Sequence, residues 1–340
     1  MLEELRDLSV VVQGPVVGGR RDPEERQLTR RCLASIRSCL PDAQIILSTW
    51  RGSDLAGLPF DVLVENDDPG PIYYPDLPDK SNNVNRQIIT TRNGLIAADR
   101  RYALKLRSDM LVGGTGFVRY FNKFPARCDW SFLKSKVVAS TIYARIPGQI
   151  YQWPFHPSDW FFFGETQDVL EIWNIPLAPE PDFTNWFVSR PRPPNDQWPS
   201  HMSRYVPEQY IWLSFLRKHR EVSCEYQWDL SAETILNTEK SLSGNLVLIS
   251  PRQAQLSFAK YATHTGWRDW VYGPGSCYNY LLWRHLYAKH CLNRRYSIFS
   301  LAQLTSKSLR RAASAARIVT KVEARFARLN GRLWNPNLDH

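Results

Sequence analysis

Residues 101–112 constrain this chain most. Tyr102, Leu104 and Leu106 alternate with Ala103, Lys105 and Arg107, and the run then halts at Ser108 and Asp109 before Gly113 and Gly114. This is the pattern of a strand carrying a polar tip. It predicts a carboxylate at the carboxyl end of a central strand, the edge of an open α/β sheet where loops and helix N-termini converge on ligands. Asp109 is a hard oxygen ligand suited to Mg²⁺ or Mn²⁺, and Arg107 is placed to meet a phosphate. Taken alone, the same two residues also fit a surface ion pair.

The segments before this run repeat an α/β rhythm. Leu8 to Gln13 is β-rich and ends in Gly14-Pro15; Leu28, Cys32, Ile36 and Leu40 recur at helical spacing until Pro41. Strand patterns return at residues 43–50 and 60–65, followed by an acidic turn, Asn66-Asp67-Asp68-Pro69-Gly70. Residues 69–83 read as a Pro-rich loop over the sheet edge. Asn82 or Asn83 then caps a helix running to about Asp99, which places Asn85 and Arg86 in a first turn that favours anions. Strand, helix, strand and strand in this order begin a nucleotide-binding α/β sheet.

The motifs Gln13-Gly14-Pro15, Leu47-Ser48-Thr49-Trp50, Asn66 to Gly70, Asn82-Asn83-Val84-Asn85-Arg86-Gln87 and Leu104 to Asp109 occur in linked order. Together they resemble the WavE family of bacterial lipopolysaccharide-synthesis proteins, which look like glycosyltransferases of the GT-A class. The resemblance spans roughly residues 8–290. It implies a Rossmann-type mixed sheet flanked by helices, forming a catalytic domain over 1–295 with a nucleotide half (1–115) and an acceptor half (116–295). It further implies that Gln13, Gly14 and Pro15 border the nucleotide, Asp68 faces its ribose or base, Arg86 and Arg107 face the diphosphate, and Asp109 holds the metal. One departure stands out: the Asp-x-Asp of GT-A enzymes is here Arg107-Ser108-Asp109.

In the second half, residues 117–124 read as an aromatic helix and 129–133 as a strand. His156-Pro157-Ser158-Asp159 forms a polar tip before the strand-like Trp160 to Phe163. Asp159 at such a position must be exposed or paired, because an isolated buried charge is costly, and it is the second candidate, after Glu208, for a catalytic base. Residues 175–207 hold eight prolines together with Trp186, Trp198, Arg190 and Arg192, and read as a long loop contributing to an acceptor cleft. Pro207 and Glu208 open an apolar helix. Glu208 suits a helix start on electrostatic grounds alone, and the resemblance adds the role of catalytic base, with inversion at the anomeric carbon. Residues 220–260 read as further strand and loop, His264 as a late metal or phosphate contact, and 276–290 as an aromatic helix.

Composition sets the outer limits. The hydrophobic content of 43% and charged content of 22% fit a globular protein, not a disordered one. The six cysteines form no C-x-x-C pair and read as reduced core thiols of a cytosolic protein. The charged N-terminus lacks the apolar centre of a signal peptide, and no apolar run is long enough to span a bilayer. The net charge of +10 calls for an anionic partner. Much of it lies between Ser306 and Trp334, where eight basic residues face Glu323 alone. That tail, 296–340, reads as a basic amphipathic helix for an anionic membrane surface, on a cytoplasmic protein peripheral to the inner face of the membrane. The expected partners are a nucleotide-sugar donor, for which UDP is the first candidate, and a glycan or lipid-linked glycan acceptor. Two rival classes remain: a non-catalytic glycan-binding module, equally rich in aromatics, and a basic nucleic-acid binder, for which no reader motif is present.

Overall fold

The computed structural model describes residues 3–17, 28–74, 77–147, 153–191, 203–258 and 277–294. His264, the basic tail, Arg192 and Trp198 lie outside these residues. A mixed sheet of seven strands forms the centre. In chain order its strands are β1 (Leu8–Gln13), β2 (Gln44–Trp50), β3 (Val62–Asn66), β6 (Tyr102–Arg107), β8 (Val137–Ser140), β9 (Phe161–Glu165) and β10 (Leu246–Ile249). Their spatial order is β10-β8-β9-β6-β1-β2-β3. All pairings are parallel except those of β9, which runs against both β6 and β8.

A single turn, α1 (Glu3–Arg6), precedes β1, and α2 (Leu28–Cys39) joins β1 to β2. β1 is buried along its whole length, and its Val10-Val11-Val12 run suits a strand covered on both faces. One face of the sheet packs against α3 (Val84–Ile96) and α4 (Thr166–Trp173). On that face Phe162 meets Trp173 edge-on at 6.0 Å. Gly94 lets α3 approach closely: a Cβ there would come 2.5 Å from Val11 Cγ1 and 3.0 Å from Ser48 Cβ. The other face carries an aromatic layer in which Phe117 and Phe121 pack edge-on against Phe163, at 4.8 and 5.6 Å.

Several elements differ from the sequence reading. Residues 69–83 hold a hairpin, β4 (Ile72–Tyr74) with β5 (Leu77–Asn82). The aromatic stretch 117–124 makes only a 3-10 turn, Val118–Tyr120, and Asn122 then takes a φ of 54° that no helix continues through. Residues 129–133 are not a strand, because Asn245 Oδ1 accepts from the amides of Phe132 and Leu133, which a ladder would need. Within 220–260 lies α6 (Ala232–Asn245), 14 residues long. The expected strand tip at 110–112 leaves the main sheet as β7 (Met110–Val112) and pairs antiparallel with β11 (Leu256–Phe258), which follows the short helix α7 (Pro251–Ala254). The apolar helix α5 (Pro207–Arg217) begins at Pro207 as expected, and the last described helix is α8 (Tyr280–His290).

Candidate functional site

β1 and β6 lie side by side, with the chain proceeding from them toward opposite edges of the sheet. Their carboxyl ends therefore form a topological switch point. Gln13 is in register with Arg107, and the two turns that follow are tied together. Gly14 adopts φ +116°, open to glycine, and its N–H donates to Ser48 O at 3.1 Å. Ser108 N–H donates to Gln13 O at 3.0 Å, and Ser108 Oγ donates to Pro15 O at 2.7 Å.

Against these turns stands the first half of α3. Asn83, Arg86, Gln87 and Thr90 follow the i, i+3, i+4, i+7 spacing of one helix face and line a cavity of about 450 Å³ together with Trp50, Asp109 and the two turns. This is the size range of small-ligand sites. Thr90 Oγ1 donates to Gln13 Oε1 at 2.9 Å, fixing the glutamine. Gln87 Oε1 is buried and has no protein partner, so the wall presents an acceptor to an incoming N–H or O–H donor.

Two arginine forks dominate the electrostatics. Arg107 Nε and Nη2 donate to Asp109 Oδ1 and Oδ2 at 3.0 and 2.9 Å, and Trp160 lies 5.1 Å from the guanidinium. Arg86 Nε donates to Asp68 Oδ1 at 2.7 Å, its Nη2 bonds the other oxygen, and Trp50 lies 5.5 Å away. The hydrogen bond from Arg86 holds the Asp68 carboxyl below the usual carboxylate range. Asp68 is thus placed to orient Arg86; it does not line the cavity. Asn85 also points elsewhere. Its amide accepts from Ala178 N–H at 2.7 Å and donates to Ala178 O at 3.0 Å, fastening the 175–178 segment to α3.

Behind Arg107 lies a second, more deeply buried group. Lys105, on the central strand, has no exposure; its Nζ donates to the backbone carbonyl of Asp159 and sits 4.7 Å from the Trp173 ring. Burial pulls its pKa down to about 8 against the opposing charge of Asp159. Asp159 itself is 4% exposed, and its Oδ1 has no hydrogen-bond partner. Glu208 occupies the first turn of α5, and burial, followed by the charge of Asp159, raises its carboxyl well above the ordinary range. His156 Nε2 is 3.6 Å from Glu208 Oε2. Burial and Arg145 push that imidazole down to about 3, so it is neutral at pH 7. Its Nδ1 lies 3.2 Å from Pro157 O, which as a carbonyl can only accept.

The structure therefore gathers Gln13, Gly14, Pro15, Arg86, Arg107 and Asp109 around one cavity, with Asp159 and Glu208, on which the charge of Asp159 acts, behind it. The sequence reading missed Trp50, Asn83, Gln87, Thr90 and Ser108 in the cavity and Lys105, Arg145 and His156 behind it. The helical spacing of Asn83, Arg86, Gln87 and Thr90 was a usable signal for four of the cavity residues. For a divalent metal, no group of three or more His, Cys, Asp or Glu side chains is assembled among the described residues. Asp109 offers a single carboxylate on the cavity wall. That fits an ion of the Mg²⁺ type, which binds through one or two carboxylates and completes its shell with substrate phosphates and water.

No helix among the described residues is long and apolar enough to cross a membrane. A search of curated proteins finds no match to the sequence. A family model does match residues 8–319, nearly the whole length and including every cavity residue named above, and on that match the chain belongs to the WavE lipopolysaccharide synthesis family.

Proposed function

We propose that the chain is a GT-A-like glycosyltransferase that moves a sugar from a nucleoside-diphosphate donor, with UDP the first candidate, to a glycan hydroxyl during lipopolysaccharide synthesis. One observation carries the reading. A ligand-sized cavity at the switch point has two arginine forks and a carboxylate in reach, and the buried Asp159 and half-buried Glu208 adjoin it through Arg107 and Trp160. The mixed sheet, with its reversed β9 beside the strand that bears the tip, supports the GT-A-like part of the proposal.

In this mechanism Arg86 and Arg107 exchange their carboxylate partners for diphosphate oxygens and neutralise the leaving group as charge develops on it. Gln87 Oε1 receives a donor from the nucleotide. Glu208 takes the proton of the acceptor hydroxyl. Its raised pKa makes it a stronger base that is only partly ionised at neutral pH. Asp159 acts through Glu208, and Lys105 positions the Asp159 segment from within the core. A single displacement assisted by this base inverts the anomeric carbon. A divalent cation, Mn²⁺ or Mg²⁺, held by Asp109 would supply Lewis-acid neutralisation of the diphosphate. The acceptor is a glycan or lipid-linked glycan, reached from the inner membrane face, with the basic tail as the membrane contact and no nucleic-acid partner.

The test is calorimetric titration of the full chain with UDP, GDP, CMP and dTDP, with and without Mn²⁺, on wild type and on Asp109→Ala. Selective binding of one nucleotide supports the donor site. Metal-enhanced binding that weakens in the variant assigns Asp109 to the metal. Binding of none of the four rejects the donor site and favours a glycan-binding protein without transfer.

A further inference from the structure

A small second core of Trp153, Phe187, Val206 and Trp228, with Trp186 and Tyr226 packed on it, stands apart from the main one. It touches the candidate base in two ways. Trp153 stacks on His156 with ring centroids 5.2 Å apart and planes 8° from parallel, and His156 faces Glu208. Val206 is the N-cap of α5, two residues before Glu208. The outer side of this cluster is unusual. The Arg190 guanidinium lies 3.6 Å from the centre of the Trp186 ring, and that of Arg204 lies 4.1 Å from it. Two guanidiniums cannot share one face of an indole at such distances, so they cover opposite faces.

Both cations are held by groups that orient them without neutralising them. Arg190 Nη1 donates to Trp186 O at 3.0 Å, and Arg204 Nε donates to Glu225 O at 2.9 Å. Neither meets a carboxylate among the described residues. The nearby Asp229 carboxylate is engaged by the backbone N–H of Glu225. A guanidinium has five N–H donors, and among the described residues each of these two spends one on a protein acceptor. Two like charges fixed about one ring, with no carboxylate partner among the described residues, form a preorganised receptor for an anion. Arg204 is anchored through its own backbone as well: its N–H donates to Phe183 O at 2.9 Å and its carbonyl accepts from Gln227 N–H at 2.8 Å. Arg204 precedes Glu208 by four residues, a separation of at most about 14 Å along an extended chain, which is within reach of a short oligosaccharide.

We infer that Trp186, Arg190 and Arg204 form a subsite for an anionic sugar, one bearing a phosphate or a carboxylate, on the acceptor side of Glu208. The word acceptor rests on the transferase reading; the preference for an anion does not. The donor cavity supplies its own forks for the nucleotide, so this second pair of cations selects the other substrate. An uncharged acceptor would leave both guanidiniums without a counter-charge from the described residues.

The experiment is saturation-transfer NMR and calorimetry on the full chain with glucose 6-phosphate, glucuronate, glucose and inorganic phosphate. It uses wild type, the double variant Arg190→Gln with Arg204→Gln, and Arg86→Ala. In wild type, at least one charged sugar binds about tenfold more tightly than glucose, and which one does so distinguishes phosphate from carboxylate. In the double variant that preference disappears while UDP binding is unchanged. Should the double variant fail to fold, Arg190→Gln alone, at an exposed side chain, must reduce the preference. The inference is overturned if charged and neutral sugars bind alike, if the preference survives in the double variant, or if only Arg86→Ala abolishes it. Failure of wild type to bind UDP removes the transferase reading and leaves the sugar result to stand or fall on its own arms.

Discussion

Gly94→Ala is the sharpest test of how α3 is set against the sheet. The added Cβ would come 2.5 Å from Val11 Cγ1 and 3.0 Å from Ser48 Cβ, where unstrained carbon contacts lie near 3.5–4.0 Å. Val11 and Ser48 have no exposure, and both sit mid-strand, paired on each side, so neither can retreat. Overpacking of this kind costs about 1–3 kcal/mol, and two rigid neighbours put Gly94 near the top of that range. Alanine offsets about 1 kcal/mol of it through helix propensity. The net expectation is a loss of about 2 kcal/mol, or a fall of roughly 3 °C in the melting temperature, from an unfolding entropy of about 2.1 cal/mol/K per residue over a chain of 340 residues. The strain is relieved by lifting α3, which carries Arg86 and Gln87 away from Gly14 and Ser108, so nucleotide affinity falls as well. Differential scanning calorimetry with Ile96→Ala as a control on the same helix, at a side chain 63% exposed, reads the first effect; titration with the nucleotide reads the second. A Gly94→Ala protein as stable as wild type would refute the close-approach argument.

Other expectations follow from the same geometry. Glu208→Gln should lower transfer by about 10²–10⁴-fold while leaving nucleotide binding intact, as steady-state kinetics and calorimetry would show. Because the folded pKa of Glu208 is raised, the stability linked to it is full below the ordinary carboxylate range and is lost as pH rises through the folded value. Melting temperatures across that range should therefore decline less steeply in Glu208→Gln. Arg86→Ala and Arg107→Ala should each weaken nucleoside-diphosphate binding by about 1.5–3 kcal/mol, as loss of a charged hydrogen-bonding group does; unchanged affinity in both would remove the forks from the donor site. Asn85→Ala should cost about 1–3 kcal/mol of stability by stranding the Ala178 backbone groups. Lost nucleotide affinity at unchanged stability would instead restore Asn85 as an anion contact.

Much of this could be read from sequence where burial imposes a simple period. β1 and β2 carry short apolar runs with clear stops, β6 alternates up to its polar tip, and α2 places Leu28, Cys32 and Ile36 inward at helical spacing. α6 escaped because its inward face is polar. Thr234, Thr238, Ser241 and Asn245 are buried to serve other chain segments: Thr238 Oγ1 accepts from Phe155 N–H at 3.0 Å, and Ser241 Oγ accepts from Trp212 Nε1 at 3.1 Å. A hydrophobicity pattern cannot register a face built to satisfy donors. β8 is only 4 residues long and follows two lysines, so it offered little pattern. At the site, residue types were readable but partners were not. Nothing local announces that Asp68 turns to Arg86 or that Asn85 turns to Ala178, since these contacts join residues 18 and 93 positions apart.

The departure of β7 from the main sheet bears on the order in which the protein assembles. Asp109 sits in a two-residue gap between strands of different sheets: on one side β6, and on the other β7, whose partner β11 is some 140 residues further along the chain. Gly113 N–H is likewise bonded to Gln255 O at 2.8 Å. During synthesis the amino-terminal strands can pair early, yet the turn that aims the acidic tip stays unbraced until residues 255–258 have emerged. A chain cut near residue 115 would keep β1, β2, β3 and β6 but lack β9 beside β6 and β11 beside β7. The cavity wall that holds Asp109 thus depends on a strand supplied well past the middle of the chain, although it is encoded among the first residues.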